Sequence, residues 1–333
     1  MTRNTLSKSR RETAPTGGAN RAEIRGTGVP IPAPGPHGGD AATVAAALGL
    51  APSEVLDLSV SLNPGAPDVA ALAAAHLDSL RRYPDAGAAT VAMAEALATT
   101  PDRVLLTNGG AEAIALVCAD LGRAAVAGPG EFSLYARHLN AAVDPAEDPA
   151  APRIRSNPNN PTGLLAGPGE RAAVWDEAFY PLAAGTWSRG DPGAVVVGSL
   201  TKVFACPGLR AGYVYAEPER IARLAARQPR WALNGLAAAL VPELLARTDL
   251  PAWRAAVARR RAAVAAALPG VAPSDANFVL VEVPEGAAEA RARLARHGVV
   301  VRDCTSFGLP GHIRVAVPDD AGLERLLAAW EKA

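Results

Sequence analysis

Val195-Val196-Val197-Gly198-Ser199-Leu200-Thr201-Lys202-Val203-Phe204-Ala205-Cys206-Pro207-Gly208-Leu209-Arg210-Ala211-Gly212-Tyr213-Val214 is the stretch that decides the fold of this 333-residue chain. Val195 to Val197 is a continuous apolar run ending in Gly198-Ser199, and Gly212 to Val214 follows a Pro-Gly turn. Such runs suit strands of a parallel sheet covered on both faces. Between them stands Lys202. Of the 33 basic residues only three are lysines, and the other two, Lys8 and Lys332, sit at the polar ends. Guanidinium stays protonated at ordinary pH, whereas an ε-amine can lose its proton and attack a carbonyl, so arginine cannot replace lysine in that chemistry. A lone lysine in an arginine-rich chain is therefore a candidate imine-forming nucleophile. The plain alternative is a survivor on a solvated face.

Further short β-like runs lie on either side of this stretch: Val104 to Leu106, Ala124 to Val126, Arg153 to Arg155 and Ala172 to Trp175. They alternate with helical or turn segments, which predicts an α/β domain. Helical spacing dominates from Glu219 to Leu268. Phe278 to Val283, a helix to His297, Val299 to Arg302, Ile313 to Val317 and a last helix to Trp330 then give a smaller α+β domain. Before the first run, a helix from Ala41 to Leu48 and an extended Leu56 to Ser59 follow a Pro/Gly stretch holding His37-Gly38-Gly39. Residues 1–28 lack hydrophobic periodicity and read as a disordered tail.

Composition limits the function classes. The 33 acidic and 33 basic residues cancel, which leaves no electrostatic footprint for nucleic acid or an anionic bilayer. Cys118, Cys206 and Cys304 are odd in number and widely spaced, against a disulfide framework or a zinc knuckle. The most apolar stretch, Ala232 to Ala246, is short and interrupted by Pro242 and Glu243, so it predicts a buried helix. With no signal-like apolar run at the start, these features predict a soluble cytoplasmic protein with a small-molecule substrate.

Four motifs fall at the ends of predicted strands, where open α/β sheets bind ligands. They are Thr107-Asn108-Gly109-Gly110-Ala111-Glu112, Asn157-Pro158-Asn159-Asn160-Pro161-Thr162-Gly163, Asp176-Glu177-Ala178-Phe179, and Ser199 to Lys202 followed by Pro207-Gly208-Leu209-Arg210. Each alone could be a helix start, a turn or a cap. In this order around one lysine they resemble the fold-type I pyridoxal-phosphate (PLP) enzymes, the aspartate-aminotransferase superfamily. With His37-Gly38-Gly39, Arg82-Tyr83-Pro84-Asp85 and Trp231-Ala232-Leu233-Asn234 added, the likeness is greatest to the group containing threonine-phosphate decarboxylase and histidinol-phosphate aminotransferase.

The resemblance implies an aspartate-aminotransferase-like large domain with a mostly parallel sheet over residues 66–235. It adds an arm over 29–65 that joins the small domain and active site, and a small domain over 236–333. It implies PLP as cofactor, with Lys202 bonded to its aldehyde and then acting as acid or base, and Asp176 pairing with the ring nitrogen. Asn160 would donate to the ring 3-oxygen and Phe132 would cover one ring face. Gly110, Ala111, Ser199 and Arg210 would hold the cofactor phosphate. Tyr83 would reach the phosphate in the other subunit of a homodimer with shared sites. Arg314 would take a substrate carboxylate, and Arg302, His37, Gly38 and Gly39 a substrate phosphate. The implied reaction is decarboxylation of a phosphorylated amino acid, L-threonine O-3-phosphate, in cobalamin biosynthesis. The alternatives are transamination of histidinol phosphate or a related amino acid, and cofactor binding with little catalysis. His76, His138, His297 and His312 read as structural.

Two departures stand out. Only 12 residues separate Gly163 from Asp176, too few for the helix and strand that the relatives carry there. A covering helix is therefore expected to be missing, with a partner or a rearranged loop in its place. Phe179 stands where many aminotransferases have a tyrosine, so no phenol is expected beside the ring oxygen.

Overall fold

The computed structural model describes residues 29–35, 37–126 and 130–332; the expected tail over residues 1–28 lies outside them. Eleven strands are present among the described residues: β1 Leu56–Leu58, β2 Val104–Thr107, β3 Arg123–Val126, β4 Ala141–Val143, β5 Arg153–Ser156, β6 Val174–Asp176, β7 Val195–Ser199, β8 Gly212–Tyr215, β9 Phe278–Glu282, β10 Val299–Asp303 and β11 His312–Ala316. Seven form one sheet in the order β2-β8-β7-β6-β5-β3-β4, in which β8 alone runs antiparallel to its neighbours.

Both faces of this sheet are covered, which explains its uninterrupted valine runs. Val195 and Val197 pack with Ile114, Val117 and Ile154 on one side, while Val196 faces Met93, Leu240 and Leu244 on the other. Leu240 and Leu244 belong to the apolar helix Gly235–Ala246 and are fully buried. Each such side chain contributes roughly 1.5–3 kcal/mol of transfer free energy.

The other four strands form a second sheet in the order β1-β10-β11-β9. β1 pairs in parallel with β10, with Leu56 opposite Val299, so the extended Leu56–Leu58 segment completes a sheet otherwise built near the C-terminus. β10 and β11 pair antiparallel with Arg302 opposite Arg314.

The crossover from β5 to β6, residues 157–173, contains no helix, and a loop takes its place. Loop carbonyls outside any helix still need donors, and Arg189 supplies them. Its guanidinium donates to the carbonyls of Ala166 (3.1 Å), Gly167 (3.0 Å), Glu170 (3.0 Å) and Pro168 (3.4 Å). It lies 5.0 Å from the ring centroid of the fully buried Trp175 and is fixed by Asp191 at 3.0 Å. Arg155 pairs with Glu170 from the same loop. β4, a three-residue edge strand, was not expected from the sequence. Among the described residues, no helix is long and apolar enough to cross a membrane.

Candidate active site

The C-terminal ends of β5, β6 and β7 open on one cleft. Its lining includes Lys202, Asp176, Asn160, Ser199, Arg210 and Arg314. Each strand end contributes because parallel strands finish on the same side, which brings together motifs far apart in the chain.

Lys202 sits in the short helix Leu200–Val203 directly after β7. Burial, then the positive charges of Arg314 and Arg210, pushes its amine down to about 8 from 10.5. An amine so placed is partly neutral near physiological pH, as a nucleophile must be. Phe179 lies under it, with its ring centroid 5.8 Å from Nζ, and brings no hydroxyl.

Asp176, the last residue of β6, is buried. Its Oδ2 accepts from the Tyr135 hydroxyl at 2.7 Å and its Oδ1 from the Ala178 N–H at 3.0 Å. Burial still raises its pKa, against the opposing effect of these bonds. A buried carboxylate lining a cleft is stabilised by a cationic partner, which a protonated ring nitrogen would be.

A cradle for an anion lies on the other side. The helix Gly109–Leu121 points its N-terminus at the cleft, and Gly110 and Ala111 line it with Ser199 and Arg210. Gly212, opposite both Thr107 and Ser199 in the sheet, lets that helix start lie against the strand: a Cβ there would stand 2.6 Å from the Gly110 nitrogen. Gly109, at φ +76°, lies under the Arg210 guanidinium, where a side chain would collide. Helix N–H groups, a hydroxyl and a guanidinium make a phosphate-binding donor set. Thr201 Oγ1, buried and lining the same cleft, has no hydrogen-bond partner among the described residues. Amine, acid, ring-face aromatic and anion cradle together fit PLP.

Arg314 is buried in the cleft wall and donates to Asn160 Oδ1 and to the Ser59 carbonyl, the latter at 3.0 Å. Burial pushes it down to about 10. With its oxygen held by Arg314, Asn160 has its amide N–H groups left to donate. Arg302, buried opposite, donates to the Gly35 carbonyl (2.8 Å) and Ser306 Oγ (2.7 Å). His37 packs its ring edge on Phe132 at 5.3 Å, and this desolvation, followed by the charges of Arg302 and Arg137, lowers its pKa.

Two residues expected in this chain's cleft lie elsewhere, and Tyr83, expected to serve the other subunit, lies outside the cleft as well. Gly38 and Gly39 do not line the cleft, and the Gly39 N–H is committed to Ser59 Oγ at 2.9 Å. The tight turn they form packs on Ser59, which takes the Gly39 N–H, one of the two amides expected to close over a substrate phosphate. Tyr83 is 78% exposed and stacks on Trp231 at 4.4 Å, outside the cleft of its own chain. His76, away from the site, pairs with Glu243 at 2.9 Å.

Sequence reasoning missed Tyr135 and Ser59. Phe132-x-x-Tyr135, with helical i,i+3 spacing in a chain of only five tyrosines, was the available signal for the first. Ser59 acts through its backbone carbonyl and carries no such signal.

Known proteins resemble this chain in sequence and in fold. A family model described as aminotransferase class I and II matches residues 129–329. Threonine-phosphate decarboxylase from Salmonella typhimurium (strain LT2) is 30% identical over 352 residues, covering 88% of this chain and 95% of that protein. Histidinol-phosphate aminotransferase from Symbiobacterium thermophilum is 34% identical over 197 residues, covering 53% of this chain and 55% of the relative; the chain thus spans about half the length of several curated relatives it matches. The crystal structure of a putative aminotransferase from Burkholderia pseudomallei aligns with a TM-score of 0.72 at 28% identity, over 83% of this chain and 97% of that one. With a lysine, an aspartate and an anion cradle converging at the strand ends, and a relative aligned along nearly the whole chain, this protein belongs to the aminotransferase class I and II family of PLP-dependent enzymes.

Proposed function

We propose that the cleft decarboxylates a phosphorylated amino acid, L-threonine O-3-phosphate, as in cobalamin biosynthesis. Two buried arginines carry this reading: Arg302 and Arg314 face each other across β10 and β11 and both line the cleft beside Lys202. Threonine phosphate carries two anions, a carboxylate and a phosphate. Histidinol phosphate carries only the phosphate, which leaves the second arginine without work in that half of a transamination.

When bound, PLP supplies an electron sink for the pair left on the α-carbon as carbon dioxide departs. Asp176 holds the proton at the ring nitrogen, and the Tyr135 hydroxyl and Ala178 N–H fix its oxygens. Asn160 donates at the ring 3-oxygen. Lys202 Nζ, lowered to about 8, holds or returns a proton beside the α-carbon near neutral pH. Arg314 binds the carboxylate, while Arg302 and His37 bind the substrate phosphate. In this reading the cofactor side is built from residues 66–235, residues 29–65 carry His37, and residues 236–333 carry both substrate arginines, Arg302 and Arg314. A homodimer in the cytoplasm completes it, with the exposed Tyr83–Trp231 pair turned toward the partner's cofactor phosphate.

A second reading, transamination of histidinol phosphate, is favoured by the relatives so named, among them the Symbiobacterium protein and a Ralstonia nicotianae protein 31% identical over 87% of this chain. One assay separates the two. The PLP-loaded protein is given threonine phosphate, or histidinol phosphate plus 2-oxoglutarate, and carbon dioxide and glutamate are measured. Carbon dioxide from the first supports decarboxylation, and glutamate from the second overturns it.

A further inference from the structure

We infer that Glu131 is a positioning residue that aims Asn160 at the cofactor ring, acting through Ser156. Glu131 is outside the cleft lining and has no part in the reaction above, yet its carboxylate is fully engaged with the loop that carries Asn160. Oε2 accepts from Ser156 Oγ at 2.7 Å and from the Ser156 N–H at 3.2 Å, and Oε1 accepts from Asn159 Nδ2 at 3.3 Å. Ser156 Oγ in turn accepts from the Asn160 N–H at 3.0 Å. A hydroxyl that donates to a carboxylate has its lone pairs turned away from that carboxylate, so Glu131 sets the direction from which Ser156 receives Asn160.

Asn160 is thus held at two points. Its backbone is fixed from the Glu131 side, and its side-chain oxygen from Arg314 on β11. With both anchors in place the amide N–H groups have one direction left to point. Glu131 also precedes Phe132, so a single carboxylate ties the ring-covering segment to the ring-donor loop. Without it, the Ser156 proton is free to rotate to another acceptor and the Asn160 backbone loses its fixed partner.

The inference rests on the reading that Asn160 donates to the ring 3-oxygen, and the test separates the two. The pH midpoint of the visible absorption band of the PLP-loaded protein is measured for wild type, Asn160→Ala, Glu131→Ala, Ser156→Ala, Glu131→Gln and the Glu131→Ala/Asn160→Ala double variant. Loss of a donor to the 3-oxygen raises the midpoint, for Asn160→Ala by about one to two pH units. Glu131→Ala and Ser156→Ala should each raise it by about half to one unit, as partial loss of the same bond. The double variant should move no further than Asn160→Ala alone, because the two act in series. Glu131→Gln keeps an acceptor for Ser156 Oγ and should stay near wild type. A midpoint that moves in Asn160→Ala but not in Glu131→Ala overturns the role given to Glu131. A midpoint unmoved in Asn160→Ala overturns the assignment of Asn160 itself. Should Glu131→Ala fail to fold, Ser156→Ala decides in its place, since it removes the middle link.

Discussion

Replacing Lys202 with methionine should stabilise the PLP-free protein, and by an amount that falls as pH rises. The native amine is held down to about 8 from 10.5 by burial and by Arg314 and Arg210, so the folded chain binds that proton more weakly than the unfolded chain does. Below about pH 8 the lysine is charged in both states, and the cost of burying that charge is fully present. Between 8 and 10.5 only the unfolded chain keeps the proton, so wild-type stability rises with pH and the cost fades. Linkage puts the cost at about 3 kcal/mol at pH 7 and about 1 kcal/mol at pH 10. Methionine is one atom shorter than lysine, unbranched and uncharged, and any packing difference is the same at both pH values. Urea denaturation of the two PLP-free proteins should therefore show Lys202→Met more stable, with its advantage shrinking by about 2 kcal/mol from pH 7 to pH 10. An advantage that does not change with pH would mean that Lys202 has an ordinary amine, and the electrostatic description of the cleft would fail.

Two further outcomes follow from the same geometry. Arg302→Ala should weaken a phosphorylated substrate about ten- to a hundredfold and an unphosphorylated analogue far less, whereas Arg314→Ala should impair both; binding titrations that show equal losses in Arg302→Ala would reject the phosphate assignment. Arg189→Ala strips a donor from each of four loop carbonyls and takes the cationic partner from Asp191, which keeps the Trp175 indole N–H at 2.9 Å, so it should cost about 3–5 kcal/mol of stability by denaturant melts. Lysine at that position should not rescue it, because a point charge cannot span the fork, and a loss under about 1 kcal/mol would show that the loop is held by something else.

What the sequence revealed follows from the range of the forces involved. The valine runs of β7 and the strand-end motifs are local patterns, and they locate the sheet, Lys202, Asp176 and the glycine-rich helix start because each motif must meet the ligand in one place. The pairing of β1 with β10 and the hold of Arg189 on the helix-free crossover are long-range, and no local period records them. Gly38 and Gly39 show the converse: the His-Gly-Gly motif is plain in the sequence, but Ser59 claims the Gly39 amide and so decides its use. Tyr135 supports Asp176 from within the cleft wall and Glu131 supports Asn160 from behind it, and a polar residue of either kind looks like any other until the fold closes around it.

The lysine at the centre of the site can be tested by chemistry rather than by rate. The PLP-loaded protein is reduced with borohydride, digested, and its peptides mapped by mass for the attached cofactor. One modified peptide is expected, carrying the cofactor on Lys202, with loss of that label in Lys202→Arg. Label on Lys8 or Lys332 with Lys202 unmodified would contradict it.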